Sequence, residues 1–190
     1  MADWQRVIGA LRRLRGTAEH PYVIEQLTPD MARHAAELIP ETPPVPGRLN
    51  SPDFSLATEA TLRALRNAED GLPGSVLWTP DYTRTLGAIS YGENPVRNLP
   101  NWQSVDYLGS MVPGGGRDLM HAMRGAESPG LYLSATRSPN TRRFYSGMGM
   151  NSPWNWPDLD PDIVDMLGEQ HDFAIPPGTP FARAHGGLVR

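Results

Sequence analysis

Residues 107–120 constrain this chain more than any other stretch. The run Tyr107-Leu-Gly-Ser-Met-Val112 is apolar and strand-like, three successive glycines interrupt it, and Arg117-Asp118-Leu119-Met120 resumes with a helical pattern. Glycines let the backbone turn tightly and bring N–H groups to an anion with no side chain in the way. The positive end of the helix that follows favours the same ligand. Two readings stand at this point, a phosphate-binding loop and a purely steric glycine turn.

Ten residues past Met120, Gly130-Leu-Tyr-Leu-Ser-Ala-Thr136 reads as a short apolar strand. Ser138 and Pro139 then supply an N-cap and a first-turn proline for another helix, which carries Phe144, Tyr145, Gly149 and Met150. Together the two segments resemble the GNAT superfamily of acetyl-CoA-dependent N-acetyltransferases. Its pyrophosphate loop has the form Arg/Gln-x-x-Gly-x-Gly/Ala, and its later helix ends in Phe-Tyr-x-x-x-Gly-Phe. Gly114 and Gly116 match the first pattern; Phe144, Tyr145 and Gly149 match the second. Met111 departs from the Arg or Gln of the loop, a position used mainly for its backbone in that family, and Met150 departs from the final Phe.

The resemblance implies a mixed α/β fold: a mostly antiparallel central sheet flanked by helices, with two neighbouring strands splayed apart for the cofactor. It assigns those strands to residues 102–111 and 130–136. It also implies acetyl-CoA as acyl donor, with Met111, Val112, Gly114, Gly115, Gly116 and Arg117 around the pyrophosphate. Tyr145 would stand near the cofactor sulfur as a proton donor. Ser138 and Arg142, with Arg137 and Arg143 nearby, are candidates for the remaining phosphate contacts, since arginine binds phosphate through charge-assisted bonds. A solvated basic helix face is the alternative for these arginines.

Composition limits the other classes. A chain of 190 residues is long enough for one substantial core with appendages. Hydrophobic residues at 39% and charged residues at 20% are globular values, while 20 prolines and 19 glycines predict long irregular segments. The net charge of −4 disfavours nucleic acid as a partner. With no cysteine there is no disulfide, thiolate metal site or cysteine nucleophile, and the five histidines show no metal-ligand spacing. All basic residues are arginine. No apolar run spans a membrane and no signal peptide is evident, so the expected location is the cytoplasm or a particle such as a virion.

Periodicity predicts an amphipathic helix over residues 3–15, a strand at 22–27, and a helix at 31–39 opened by Thr28-Pro29. A proline-rich loop over 41–52 leads to a helix at 55–67. Strands at 74–79 and 84–91 follow, joined at Pro80-Asp81, then a strand at 102–111, the glycine loop, and a helix at 117–125. The expected order is β-α-α-β-β-β-α-β-α. Domain boundaries follow: an N-terminal helix at 1–16, a core at 17–150, and an irregular Pro/Trp-rich extension at 151–190, holding one short helix at 161–167 and no clear hairpin. Trp154 and Trp156 are expected to tuck under this tail or to line an acceptor pocket.

Acyl transfer to an amine needs a neutral nucleophile, so a base is required. Asp106, in the strand before the loop, and Glu93, ending the strand before that, are the candidates; each also reads as a solvated or salt-bridged carboxylate. His121, on the helix after the loop, reads as a surface residue. Two functions remain. One is transfer of an acetyl group from acetyl-CoA to a small-molecule or protein amine by direct attack in a ternary complex. The other is a non-catalytic module of the same fold in a larger assembly such as a phage virion, associating with itself or a partner through residues 1–16 or 151–190.

Overall fold

A computed structural model of the protein describes residues 15–16, 20–47, 49–93, 101–134, 138–169 and 171–182. The fold is mixed α/β, a mostly antiparallel sheet with helices, as the sequence resemblance implies. The strands are β1 (Arg15–Gly16), β2 (Pro21–Gln26), β3 (Gly74–Trp78), β4 (Thr85–Glu93), β5 (Trp102–Ser110), β6 (Gly130–Leu133) and β7 (Phe173–Ile175). The helices are α1 (Pro29–Glu37), α2 (Ser51–Glu69), α3 (Gly115–Arg124), α4 (Pro139–Gly147) and α5 (Pro161–Gly168). The chain divides into two compact units: Met1–Ser90 with Tyr107–Met123, and Tyr91–Asp106 with Arg124–Arg190.

In the first unit β1, β2, β3 and β4 pair antiparallel in sequence order, and β5 lies next to β4. Helix α1 begins where the sequence places it: the Thr28 hydroxyl accepts from the Met31 amide and Pro29 occupies the first turn. Helix α2 starts earlier than periodicity suggests, at Ser51. The Asn50 side chain caps it by accepting from the Asp53 amide at 2.8 Å, and Pro52 needs no amide partner in a first turn. Alanines 32, 35, 64 and 68 let both helices pack closely on Val23, Val76 and Trp78 of the sheet. Gly109 is needed for the same reason: a Cβ there would lie 2.5 Å from the Thr61 backbone nitrogen of α2. The expected helix over residues 3–15 lies outside the described residues except for Arg15, which is in β1 rather than a helix.

In the second unit β6 pairs parallel to β5, and β7 pairs antiparallel to β6. The β5–β6 ladder has three registered pairs, Trp102↔Gly130, Gln103↔Leu131 and Ser104↔Tyr132. Gly130 lies under the indole of Trp102, where a Cβ would sit 2.5 Å from Cδ2. Strand β6 ends at Leu133, short of the expected Thr136; residues 135–137 are outside the described set. The described part of the 151–190 segment is more regular than its prolines suggest. A 3-10 turn (Pro153–Asn155), α5 and β7 pack Leu167, Ala174 and Ile163 against Trp102 and Tyr132. Strand β7 was not legible because it is only three residues long and leads directly into Pro176-Pro177.

One buried arginine organises this unit. Arg124 is 4% exposed and donates to the carbonyls of Pro129, Pro176 and Thr179, while its guanidinium stacks 4.8 Å from the Phe181 ring centroid. The Pro176 carbonyl also accepts from the Thr179 amide at 3.2 Å; by bridging the three oxygens the side chain fastens the 176–181 segment to the loop before β6.

Candidate functional site

The glycine loop belongs to the first unit. The Gly115 amide donates to the Val112 carbonyl at 3.3 Å, with Pro113 and Gly114 between them; Gly114 has φ +77°. Proline followed by a positive-φ glycine is the sequence that a type II turn requires. Gly115 answers a different constraint, because a Cβ would lie 2.5 Å from Ser110 Oγ and 2.7 Å from Leu77 Cδ1. The helical ladder of α3 then opens with the Asp118 amide donating to the Gly114 carbonyl at 3.0 Å. Amides of a first helical turn have no acceptor within the helix, which is what suits such a turn to an anion.

Met111 and Val112 are buried behind the loop, and the Met111 amide donates to Leu86 of β4 at 2.8 Å. The methionine therefore contributes backbone pairing and apolar anchoring. Gly114 is exposed, while Gly116 and Arg117 are half-buried. Tyr22 of β2 donates through its hydroxyl to Asp118 at 2.9 Å, tying the first turn of α3 to the sheet. No sequence signal links these residues, which are 96 positions apart. His121 is exposed on α3.

The other candidates lie in the second unit. Tyr145 of α4 is 6% exposed, and its ring packs against Phe144 at 5.0 Å and Phe173 at 5.6 Å between centroids. Burial holds its phenol well above the ordinary range, so it stays protonated. Ser138 precedes α4 without making a side-chain cap bond. Arg142 is engaged by Asp172 at 3.3 Å and stacks over Phe173 at 5.3 Å, so phosphate binding there would have to replace an ion pair. Arg143 is exposed, and Arg137 lies outside the described residues. Trp156 tucks in by donating from its indole to the Ala174 carbonyl at 3.1 Å. Trp154 does not tuck in: it is 57% exposed, with one ring edge against Gly168.

Asp106 is brought together with residues that the sequence reading did not single out. Its Oδ1 accepts from Ser104 Oγ at 2.9 Å. Ser104 is in register with Tyr132 of β6, whose phenol is fully buried and pushed up to about 12, chiefly by desolvation. The Asp106 side chain is exposed, yet the protein packed on one side of it raises its carboxyl above the ordinary value; the Ser104 bond offsets this in part. The His171 ring packs at a tilt against Tyr132 at 4.5 Å between centroids, and its Nδ1 lies 3.4 Å from Ser134 Oγ. Desolvation lowers the His171 pKa, with Asp172 opposing. The other proposed base, Glu93, ends β4, and its side chain lies outside the described residues. Among the described residues no cluster of His, Asp and Glu could hold a metal ion, and no helix is long and apolar enough to cross a membrane.

The sequence matches no protein-family model and no curated protein. Its structure is similar to that of the Bacillus subtilis N-acetyltransferase YlbP in complex with coenzyme A, with 11% identity over 84% of this chain and 98% of that one, at TM-score 0.45. A GNAT family acetyltransferase from Brucella melitensis in complex with acetyl-CoA is similar at 16% identity over 87% and 94% of the two chains, TM-score 0.41. Diaminobutyrate acetyltransferase EctA from Paenibacillus lautus, in complex with L-2,4-diaminobutyric acid and coenzyme A, is similar at 15% identity over 82% and 95%, TM-score 0.43.

Proposed function

We propose that the protein is an acyl-CoA-dependent N-acyltransferase that moves an acetyl group from acetyl-CoA to an amine by direct attack in a ternary complex. The observation that carries this reading is the Pro113-Gly114 turn opening directly into α3 after β5, a backbone arrangement suited to a pyrophosphate. Val112, Gly114, Gly115, Gly116 and Arg117 are the residues assigned to that group. In the reaction the amine nitrogen forms a C–N bond with the thioester carbonyl carbon and the C–S bond breaks. Asp106 takes the proton of the attacking amine, and its raised pKa makes it a stronger base than an ordinary aspartate.

Tyr145 is assigned to the departing sulfur on the resemblance of its own motif. A free thiol has a pKa of about 8.5 and an ordinary phenol about 10, so full proton transfer from phenol to thiolate is already uphill. Burial makes the transfer harder. Tyr145 therefore acts first as a hydrogen-bond donor to the developing thiolate, which takes its final proton from water. The acceptor is a small-molecule or protein amine, and the expected location is the cytoplasm.

Calorimetric titration with acetyl-CoA, desulfo-CoA and free pantetheine tests this function. Saturable binding to acetyl-CoA and desulfo-CoA, weak binding of pantetheine and loss of all binding in Gly115→Glu is the expected pattern. No binding near millimolar ligand by folded protein would overturn it. A second reading, a non-catalytic module of a larger assembly such as a virion, is favoured by the exposed indole of Trp154. Turnover by a monodisperse monomer would count against that reading.

A further inference from the structure

Asp106 differs from an ordinary surface carboxylate in how much of the second unit is arranged around it. Ser104 and Asp106 lie on the same face of β5, two residues apart, and Ser104 is in register with Tyr132 as the last pair of the β5–β6 ladder. A buried phenol, a serine hydroxyl and a carboxylate therefore lie in series, the phenol beside Ser104 in the β5–β6 register and the serine hydroxyl donating to the carboxylate at the solvent end. The neighbouring strand leaves room for it. A Cβ on Gly92 of β4 would lie 2.8 Å from Ser104 Oγ and 3.4 Å from Asp106 Oδ2, so any larger residue displaces the series.

Among the described residues, the groups around this series leave the carboxylate uncancelled. His171 faces Tyr132 and is held toward its neutral form by desolvation; Arg142 and Asp172 pair with each other. Gly92 brings no charge from β4. Among the described residues no cation pairs with Asp106, and Ser104 engages only Oδ1, leaving Oδ2 for a ligand.

We propose that Ser104, backed by Tyr132 and given space by Gly92, is a positioning residue that orients the Asp106 carboxylate to take the proton of the acceptor amine. The proposal rests on the acyltransferase reading. It assigns one oxygen of Asp106 to the protein and the other to the substrate. Fixing the carboxylate rotamer in advance removes an ordering step from the reaction.

The test uses the full chain labelled with 13C-carboxyl aspartate, with the Asp106 resonance identified by its loss in Asp106→Asn. In the unsubstituted protein Asp106 is expected to titrate above the ordinary aspartate value. Ser104→Ala removes the bond that lowers it, so the midpoint is expected to move up by roughly half a pH unit or more. Gly92→Ala, which displaces the serine, moves it the same way, and Ser104→Thr restores it. With an amine acceptor, kcat falls at least about tenfold in Ser104→Ala. KM for acetyl-CoA stays unchanged, and the acidic limb of the pH profile follows the NMR midpoint.

An Asp106 midpoint unmoved by Ser104→Ala would overturn the positioning role. A midpoint that moves while the acidic limb of the rate stays fixed would overturn the proton-accepting role. Failure of acetyl-CoA to bind the unsubstituted protein would overturn the acyltransferase reading itself, and is read separately by calorimetry. Tyr132→Phe adds a smaller shift; because Tyr132 is buried, its thermal melt is compared with that of Ser104→Ala, where little destabilisation is expected.

Discussion

The glycine loop of the first unit and the Asp106 series of the second offer a ligand different things. The loop is made of backbone: Pro113 and Gly114 set a turn, Gly115 fits against Ser110 and Leu77, and α3 begins at once. The Asp106 series is made of side chains from β5 and β6, with space left by β4. Backbone geometry of this kind is written in consecutive residues, whereas a side-chain series depends on strand register. A contiguous motif thus marks where an anion would bind but leaves open which side chains would do proton chemistry.

Gly115→Glu would break the first half of this contrast with the largest effect. It places bulk where a Cβ already overlaps Ser110 Oγ and Leu77 Cδ1, and adds negative charge to the expected anion site. Loss of acetyl-CoA affinity by about 100-fold or more, with a lower melting temperature, is expected by calorimetry and thermal melting. If affinity survives in the folded fraction, the loop is a steric turn and its phosphate role fails.

Arg124→Met would strike the second unit instead. It takes the guanidinium away from three carbonyl oxygens, of which that of Pro176 keeps the Thr179 amide, and removes the stack on Phe181, for an expected loss of about 3 kcal/mol in urea unfolding. Acetyl-CoA affinity measured at low denaturant should change little. A loss under about 0.5 kcal/mol would show that water replaces the guanidinium.

Tyr145→Phe sharpens the contrast at the level of chemistry. With no hydrogen-bond donor for the leaving sulfur, kcat should fall about tenfold to 100-fold while acetyl-CoA affinity holds, because the ring packing on Phe144 and Phe173 is kept. Steady-state kinetics and calorimetry together separate the two terms. Unchanged kcat would make Tyr145 a packing residue.

The smallest expected effect is on stability against pH. The folded-state pKa of Asp106 is raised by burial, so the folded protein holds this proton more tightly than the unfolded chain does. Its contribution is therefore most favourable at acid pH and is lost as pH rises through the folded pKa. Asp106 is exposed, so solvent screens the effect: Asp106→Asn should stabilise the protein at pH 7 by less than about 1 kcal/mol, with the gain shrinking toward pH 4, read from parallel melts. A gain that grows on acidification would reverse the assigned direction.

Much of the fold was legible because its signals are local. Thr28-Pro29 started α1, the alternation in residues 84–91 gave β4, and the break at the glycines ended β5. The α2 start was missed because Asn50, Ser51 and Pro52 read as the end of a proline-rich loop, yet a proline in a first helical turn breaks no hydrogen bond. Strand β7 was missed because three residues carry too little periodicity; pairing with β6 makes it a strand. Of the site residues, the loop glycines and Tyr145 were visible as motif positions. Ser104, Tyr132, Gly92 and Tyr22 were not, since nothing in their local sequence distinguishes them.

By itself the sequence determined a backbone device: proline and glycine restrict or extend φ wherever they stand, so a Pro-Gly turn before a helix is specified without reference to the rest of the chain. The tertiary structure alone decided which carboxylate is braced, which arginine is buried and which is paired. Those properties depend on register, burial and distance between residues far apart in the chain. Asp106, Arg124 and Arg142 acquire their different environments only when strands and helices come together.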